Sequence, residues 1–344
     1  MIELIRPTLA QVAREAGLSL ATVDRALNGR GGVHAKSKAR VAAAVERLGY
    51  RRDPFAAGLA RGATLRFIVI MPDGSNSFMA QLRAQFLSLQ PWLSDRRAVL
   101  ELRGTDVFNP SSLAAALDAI PEGCAGVAVV ALDHPRVRAA IDDLAARGVP
   151  VVTVVSDAPA SRRVRFVGID NTAAGRTAAT LLGRFAGKRR GTVGVIVGTL
   201  GLRDHAERFF GFTQILGAEH PHLAIAAPRE GRDESTRTRI VTAEIVAATP
   251  DLVGIYCTGA GNRGIAAGLQ AGPRKPRLLF IGHELTPHTR KFLLDGTMDA
   301  VINQDAGHEA RSAARILLAT ATQEPILADQ ERIRIDIFLR DNLP

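Results

Sequence analysis

The spacing of apolar positions changes character near residue 65. Before it, short segments repeat apolar residues at helical intervals. TLAQVAREAG opens with a capping box, in which Thr8 accepts from the backbone N–H three residues on and Gln11 reaches back, and it closes at Gly17. Ser19 caps a second predicted helix, LATVDRALNG, which Asn28-Gly29 terminates. A third runs through KSKARVAAAVERLGY with Val41, Val45 and Leu48 on one face. Two short helices joined by a turn of about three residues have helix-turn-helix spacing, and Val12, Ala13, Leu18, Val23 and Leu27 are placed to form their shared core.

From Leu65 onward, continuous apolar runs alternate with amphipathic helical stretches: RFIVIM, AVLELRG, GVAVVAL and PVVTVVS, then, after RFVGIDN, TVGVIVG, LAIAAP, LVGIYC, RLLFIG and DAVINQ. Apolar strands separated by helices predict parallel sheets covered on both faces. Their number suits two doubly wound lobes that meet near residues 158–171 and again near the C-terminus. A TIM barrel is the rival, opposed by the extended final stretch RIRIDIFLRDNL. The expected architecture is therefore α/β, with an all-α headpiece (residues 1–51), a weakly helical linker broken by Gly58 and Gly62 (residues 52–64), and a two-lobed core (residues 65–344).

Charge sharpens this division. Residues 1–62 carry 11 Lys/Arg against 5 Asp/Glu, whereas the remainder carries 33 against 29, so most of the formal +10 sits on less than a fifth of the chain. A concentrated positive field points to nucleic acid. Cys124 and Cys257 are too few and too distant for a disulfide framework or a metal site, and are expected to be buried small hydrophobes; no metal or cofactor is expected. MIELIRPTLAQ lacks the apolar core of a secretory signal and no apolar run reaches membrane-spanning length. The expectation is a cytoplasmic protein without a membrane partner.

Ligands of doubly wound sheets bind beyond the carboxyl ends of the strands. The residues there are Asn76 and Phe78, Asp133 and His134, Arg203 to His205, Asn262, His283 and Glu284, and Gln304 and Asp305. Carboxylates, amides, a guanidinium and an aromatic ring converging on a cleft suit a polyhydroxylated ligand, such as a small carbohydrate or polyol. The alternative for each residue is that it merely caps the following helix.

Residues 8–62, TLAQVAREAGLSLATVDRALNGRGGVHAKSKARVAAAVERLGYRRDPFAAGLARG, resemble the DNA-binding headpiece of the lac repressor (LacI-type) family, and the rest resembles that family's periplasmic-binding-protein-like effector core, with FIGHELTPHTRKFLLDG and VINQDAGHEARSAA matching a subgroup. The resemblance implies a homodimer, or a higher oligomer, bound to a near-palindromic double-stranded operator. It makes Leu20 and Ala21 the base-facing pair and Arg25 a further base reader, with Thr8, Ser19, Thr22 and Asn28 near phosphates. Leu59 matches the minor-groove wedge of a hinge helix. In the core it maps Asn76, Phe78 and Gln304 onto sugar-contacting positions, and brings Asp133, Asn262 and Glu284 close to others. The Arg that grips sugar hydroxyls in the second lobe aligns with Ala206, so Arg203 or His205 is expected to substitute. The implied function is a transcription regulator, in sense a repressor, rather than an enzyme.

Two other functions compete. Gly259-Ala260-Gly261-Asn262-Arg263-Gly264 is a G-x-G-x-x-G after a strand, with Glu284 about 20 residues further on, as in NAD-dependent enzymes. It lies late in the second lobe, whereas a dinucleotide fold places this turn in its first unit. A periplasmic binding protein fits the core but not the headpiece.

Overall fold

The computed structural model describes residues 7–27, 31–50, 64–74, 76–270 and 277–344. The chain divides into two units, Met1–Thr64 and Leu65–Pro344. In the first, α1 (Leu9–Ala16) starts at the Thr8–Gln11 capping box, with Thr8 N–H donating to Gln11 Oε1 at 2.6 Å, and stops at Gly17, whose φ of 61° is left-handed. Ser19 opens α2 (Leu20–Leu27) by accepting from Thr22 N–H at 3.2 Å. The third helix, α3 (Ala35–Leu48), closes the unit with Gly49 in the left-handed region. Val12, Ala13, Ala16, Val23, Val41 and Ala44 are buried together, and Leu18, Leu27, Val45 and Leu48 pack around them. The expected terminator Asn28-Gly29 and the expected linker helix with Leu59 lie outside the described residues.

The second unit holds two sheets, parallel except for one edge strand of the second. In the first lobe β1 (Leu65–Pro72), β2 (Ala98–Thr105), β3 (Gly126–Val129), β4 (Val151–Val154) and β5 (Arg165–Val167) run in the order β2-β1-β3-β4-β5. They are joined by α4 (Ser77–Ser88), α5 (Gln90–Ser94), α6 (Pro110–Asp118) and α7 (Pro135–Ala146). The chain then enters the second lobe through α8 (Asn171–Ala186). There β6 (Gly191–Val197), β7 (Leu223–Ile225), β8 (Arg229–Glu230), β9 (Leu252–Cys257), β10 (Leu279–His283), β11 (Ala300–Gln304) and β12 (Ile335–Phe338) form a sheet of order β12-β11-β10-β9-β6-β7, with β8 also on β6. Its helices are α9 (Arg203–Glu219), α10 (Ser235–Ala248), α11 (Asn262–Gln270) and α12 (Pro287–Leu294). Two open sheets exclude the barrel alternative. Strands such as GVAV and LVGIYC are buried along their whole length, as continuous apolar runs require.

The lobes are not consecutive in the chain. After β11, α13 (Ala306–Thr322) crosses back and packs on α4, β3 and β4 of the first lobe, where Leu317 lies over Gly126. The chain then returns as β12, antiparallel to β11. The extended tail predicted from RIRIDIFLRDNL is thus an edge strand. Among the described residues no helix is long and apolar enough to cross a membrane.

One close approach positions the site. A Cβ on Gly175 of α8 would lie 1.9 Å from the Arg208 carbonyl of α9, and one on Gly211 of α9 would lie 2.1 Å from the Thr172 carbonyl of α8. Two glycines facing opposite backbones let these helices touch. Gly175→Ala is therefore expected to destabilise the core by about 1–3 kcal/mol through overpacking. Gly217→Ala in α9, with open space around its Cβ position, should be neutral or stabilise by up to about 1 kcal/mol. Denaturant titrations followed by circular dichroism check both, and equal effects at the two positions would remove the close-approach explanation.

Candidate functional site

Each unit presents one candidate surface. On α2 the burial of Val23 fixes the opposite face outward, and Leu20, Ala21 and Arg25 are exposed along it. Leu20, at 52% exposure, is an apolar side chain presented to solvent at the first position of the helix. Ser19 and Thr22 pair through their hydroxyls at 2.8 Å beside it, and Thr8 is exposed at the start of α1. An apolar tip and a guanidinium on one helix edge, flanked by hydroxyls, match the chemistry of thymine methyls, guanine edges and phosphates.

In the second unit a cavity of about 330 Å³ lies between the two lobes. Strand ends of the first lobe contribute Asp73, Asn76, Phe78, Asp106, Phe108, Val155 and Ser156; the second contributes Asp204, His205, Arg208, Arg232, Asp233, Ala260 and Glu284; Gln304 sits where the chain crosses between them. Helix starts aim several of these groups. Asn76 accepts from the N–H groups of Phe78 and Met79 and so begins α4, which turns the Phe78 ring inward. Asp204 and His205 occupy the first turn of α9, and Arg208 follows one turn on.

Arg208 is 2% exposed. Its Nε donates to Asn171 Oδ1 and its Nη1 to the Thr258 carbonyl, both at 2.8 Å, and Nη1 lies 3.6 Å from Glu284 Oε1. Gln304 Nε2 donates to the same Glu284 oxygen at 2.9 Å. Around this cluster, polar atoms without a protein partner accumulate: Arg208 Nη2, Asp204 Oδ1, Glu284 Oε2, Gln304 Oε1 and Ser156 Oγ are all buried and all belong to cavity-lining residues. Buried polar groups in native proteins are nearly always paired, so such a concentration marks where a ligand or water belongs. With Phe78 and Phe108 offering ring faces, the set fits a compact molecule with several hydroxyls.

The backbone is strained at the same place in both lobes. Val155, just after the fourth strand of the first sheet, has φ 67°, and Glu284, just after the corresponding β10 of the second, has φ 70°. Left-handed backbone is unusual for any residue with a Cβ and is an outlier for a β-branched one. Both residues line the cavity.

Of the residues predicted for the cleft, Asn76, Phe78, His205, Glu284 and Gln304 line it. Asp133 and Arg203 do not, which corrects the expectation for both. Asp133 is held by Arg138 at 2.6 Å and meets Arg203 across the lobes at 3.3 Å, while Arg203 also binds Glu207 at 2.7 Å. Their charges satisfy one another away from the cavity. Asn262 lines a smaller adjoining cavity of about 30 Å³ together with Asn76, Phe78 and Glu284, and donates to the His283 carbonyl at 2.9 Å. His134 and Asp305 cap α7 and α13. The guanidinium expected from Arg203 comes instead from Arg208. The signal for it was its place, with His205 and Phe212, on the buried stripe of α9.

The G-x-G-x-x-G run has a packing explanation. A Cβ on Gly259 would fall within 2.8 Å of Asp233 and His205 side-chain atoms, and one on Gly264 would come 2.3 Å from the Ser235 carbonyl of α10. These glycines admit the cavity's own side chains and seat α11 on α10. Cys124 and Cys257 are buried, and burial pushes the Cys257 thiol up to about 12.

Comparison with known proteins gives two matches along the chain. Residues 67–325 match the periplasmic binding protein domain family, and residues 8–53 match the bacterial regulatory proteins of the lacI family. Catabolite control protein A of Priestia megaterium is 47% identical over 75 residues, which is 22% of this chain and 23% of that protein; the Staphylococcus aureus (strain N315) protein of the same name is 45% identical over 75 residues, with the same coverage. The chain thus spans less than a quarter of the length of these relatives. Among solved structures, GanP, a glucose-galactose binding protein from Geobacillus stearothermophilus, superposes with TM-score 0.73 at 22% identity, covering 82% of this chain and 99% of that one. A solute-binding protein from Burkholderia graminis in complex with D-arabinose gives 0.72 at 22% identity, covering 81% and 96%. At these identities the superpositions establish the fold.

Burial raises the Glu284 carboxyl to about 7, and raises the fully buried Glu309, whose two oxygens have no partner, well above its usual range. A carboxyl raised on folding holds its proton longer in the native state. Its contribution to stability is complete below the unfolded value near 4.5 and is lost as pH climbs through about 7. Burial holds His283 well below its usual range, which gives the opposite dependence up to about pH 6.5, so the Glu284 contribution is read by difference: from pH 5 to pH 8 the ligand-free protein is expected to lose melting temperature relative to Glu284→Gln. The same slope across this window in the variant would contradict the assignment.

Proposed function

Because the chain belongs to the periplasmic binding protein domain family and carries a lacI-type headpiece ahead of that domain, we propose that it is a sequence-specific, DNA-binding transcription regulator whose operator affinity is set by a sugar-like polyol held between the two lobes of its core. The observation that carries this reading is the joining, in one chain, of an exposed Leu20–Ala21–Arg25 helix edge to a cavity whose buried polar atoms await a hydroxylated partner. The protein acts in the cytoplasm as a homodimer, two headpieces reading the halves of a near-palindromic site. It binds its small molecule without transforming it. GanP is a glucose-galactose binding protein and the Burkholderia graminis protein is in complex with D-arabinose, which supports a monosaccharide-sized ligand. A solute-binding role in transport has the same core in its favour, but it leaves the basic headpiece without a task.

Arg25 reads a guanine through its two-pronged edge, Leu20 contacts a thymine methyl, and Thr8, Ser19, Thr22 and Asn28 hold phosphates. Leu59 enters the minor groove between the half-sites. In the cavity, Arg208, Asp204, Glu284 and Gln304 grip ligand hydroxyls, and the phenyl rings cover its C–H faces. Ligand and DNA affinities are coupled by about 1–3 kcal/mol, and linkage makes the effect reciprocal.

Fluorescence anisotropy with genomic duplexes at several salt concentrations tests the DNA half. Arg25→Ala is expected to lose about 1–3 kcal/mol of discrimination at one base pair while leaving non-specific binding nearly intact. Arg208→Met should abolish the thermal stabilisation by the cognate sugar, and also the sugar's effect on operator affinity, without weakening DNA binding in the sugar's absence. A protein with no salt-sensitive preference for any duplex, or one whose sugar leaves operator affinity unchanged, is not this regulator.

A further inference from the structure

The cavity carries an excess of negative charge that neutral sugar recognition does not require. Six carboxylates line it: Asp73, Asp106, Asp204, Asp233, Glu234 and Glu284. Two have guanidinium partners, Glu284 with Arg208 at 3.6 Å and Glu234 with Arg232 at 3.9 Å. Among the described residues, Asp73, Asp106, Asp204 and Asp233 form no ion pair with Lys or Arg; the His205 imidazole lies beside two of them, with Nε2 at 3.6 Å from Asp204 and ring atoms packed with Asp233 over Gly198 and Gly259. These charges are fixed in place. Asp233 sits in the left-handed region at φ 56° and accepts from the Ala260 N–H at 3.0 Å; Asp106 accepts from the Phe108 N–H at 3.0 Å; the Asp73 carboxylate occupies the space over Gly104 that a Cβ would fill.

Hydrogen-bond supply points the same way independently of charge. Asp204 is 4% exposed and its Oδ1 has no partner; Glu284 Oε2 and Gln304 Oε1 are also unpartnered acceptors. Among the fully buried unpartnered atoms of the lining, one donor nitrogen, Arg208 Nη2, stands against these three, with Ser156 Oγ able to serve as either. A hydroxyl brings one donor and two acceptor sites, whereas an ammonium brings three donors and no acceptor. A ligand rich in donors and positive in charge satisfies both imbalances. A phosphate or carboxylate aggravates both, because it adds acceptors and sits among like charges.

We propose that the effector is a polyol bearing a protonated amine, of the amino-sugar or amino-polyol class, with its ammonium seated against Asp204, Asp233 and the Asp73–Asp106 rim, and that phosphorylated and acidic sugars are excluded. This rests on the polyol-binding reading of the same cavity given above and names its ligand class.

Calorimetric titration of the full-length protein tests it with matched triplets. These are D-glucose, D-glucosamine and D-glucose 6-phosphate; D-galactose, D-galactosamine and D-galactose 6-phosphate; and D-sorbitol with its 1-amino-1-deoxy and 6-phosphate forms. In whichever series binds, the amine is expected to bind about ten-fold or more tighter than the neutral member, and the phosphate about ten-fold or more weaker. Raising the salt should shrink the amine's advantage. Asp106→Asn and Asp73→Asn, at exposed positions where folding is not at stake, should each reduce that advantage several-fold, read as the ratio of amine to neutral-sugar affinity in the same variant. A neutral or phosphorylated member that binds as tightly as the amine overturns the amine assignment and leaves the polyol reading standing. Absence of binding in every series overturns the polyol reading and this inference with it.

Discussion

A buried guanidinium organises the two-lobed core. Arg208 is removed from water, and a charge so placed must be met by partners or it destabilises the fold by several kcal/mol. Asn171, where the chain enters the second lobe, supplies one partner; Thr258 at the end of β9 and Glu284 at the end of β10 supply others. The cluster therefore ties α8, α9, β9 and β10 to one point beneath the cavity. Its hydrogen bonding is incomplete, because Arg208 Nη2 and Glu284 Oε2 stay unpaired. The fold holds this partly satisfied network in place through the close α8–α9 contact at Gly175 and Gly211. A ligand that completes the network stabilises the protein through the groups that were costliest to bury.

The two lobes meet this centre with related geometry. Each sheet ends a corresponding strand in a left-handed residue, Val155 in one and Glu284 in the other, and both side chains face the cavity. Strain of this kind persists only where the surroundings over-determine it. The lobes also reach across to each other, through Asp133 with Arg203, through the Arg232 guanidinium over the Phe108 ring at 5.5 Å, and through Gln81 with the Leu285 carbonyl at 3.3 Å. Strand-end side chains thus divide between two tasks, lining the cavity and bridging its margins.

Electrostatics separates the two units. The basic excess of the first 62 residues favours a polyanion, whereas the charged residues lining the cavity in the second unit are mainly carboxylates.

The sequence by itself determined the elements, the order of the layers and the headpiece. Thr8, Gly17 and Ser19 act within a few residues of themselves, so caps and turns were readable locally; apolar runs such as GVAV and LVGIYC announced buried parallel strands. Strand-end positions also disclosed Asn76, Phe78, His205, Glu284 and Gln304 as cavity-lining. What only the tertiary structure decided depends on distances between remote segments. Asp133 and Arg203 looked like ligand contacts until folding placed them 3.3 Å apart as partners, and the glycine run at 259–264 looked like a phosphate turn until α10 was packed on it. Arg208 became the central cation because three strand and helix ends, separated by up to 113 residues of chain between Asn171 and Glu284, converge on it. Local pattern encodes which face of an element is buried; the pairing of charges within that buried space is set only when the elements meet.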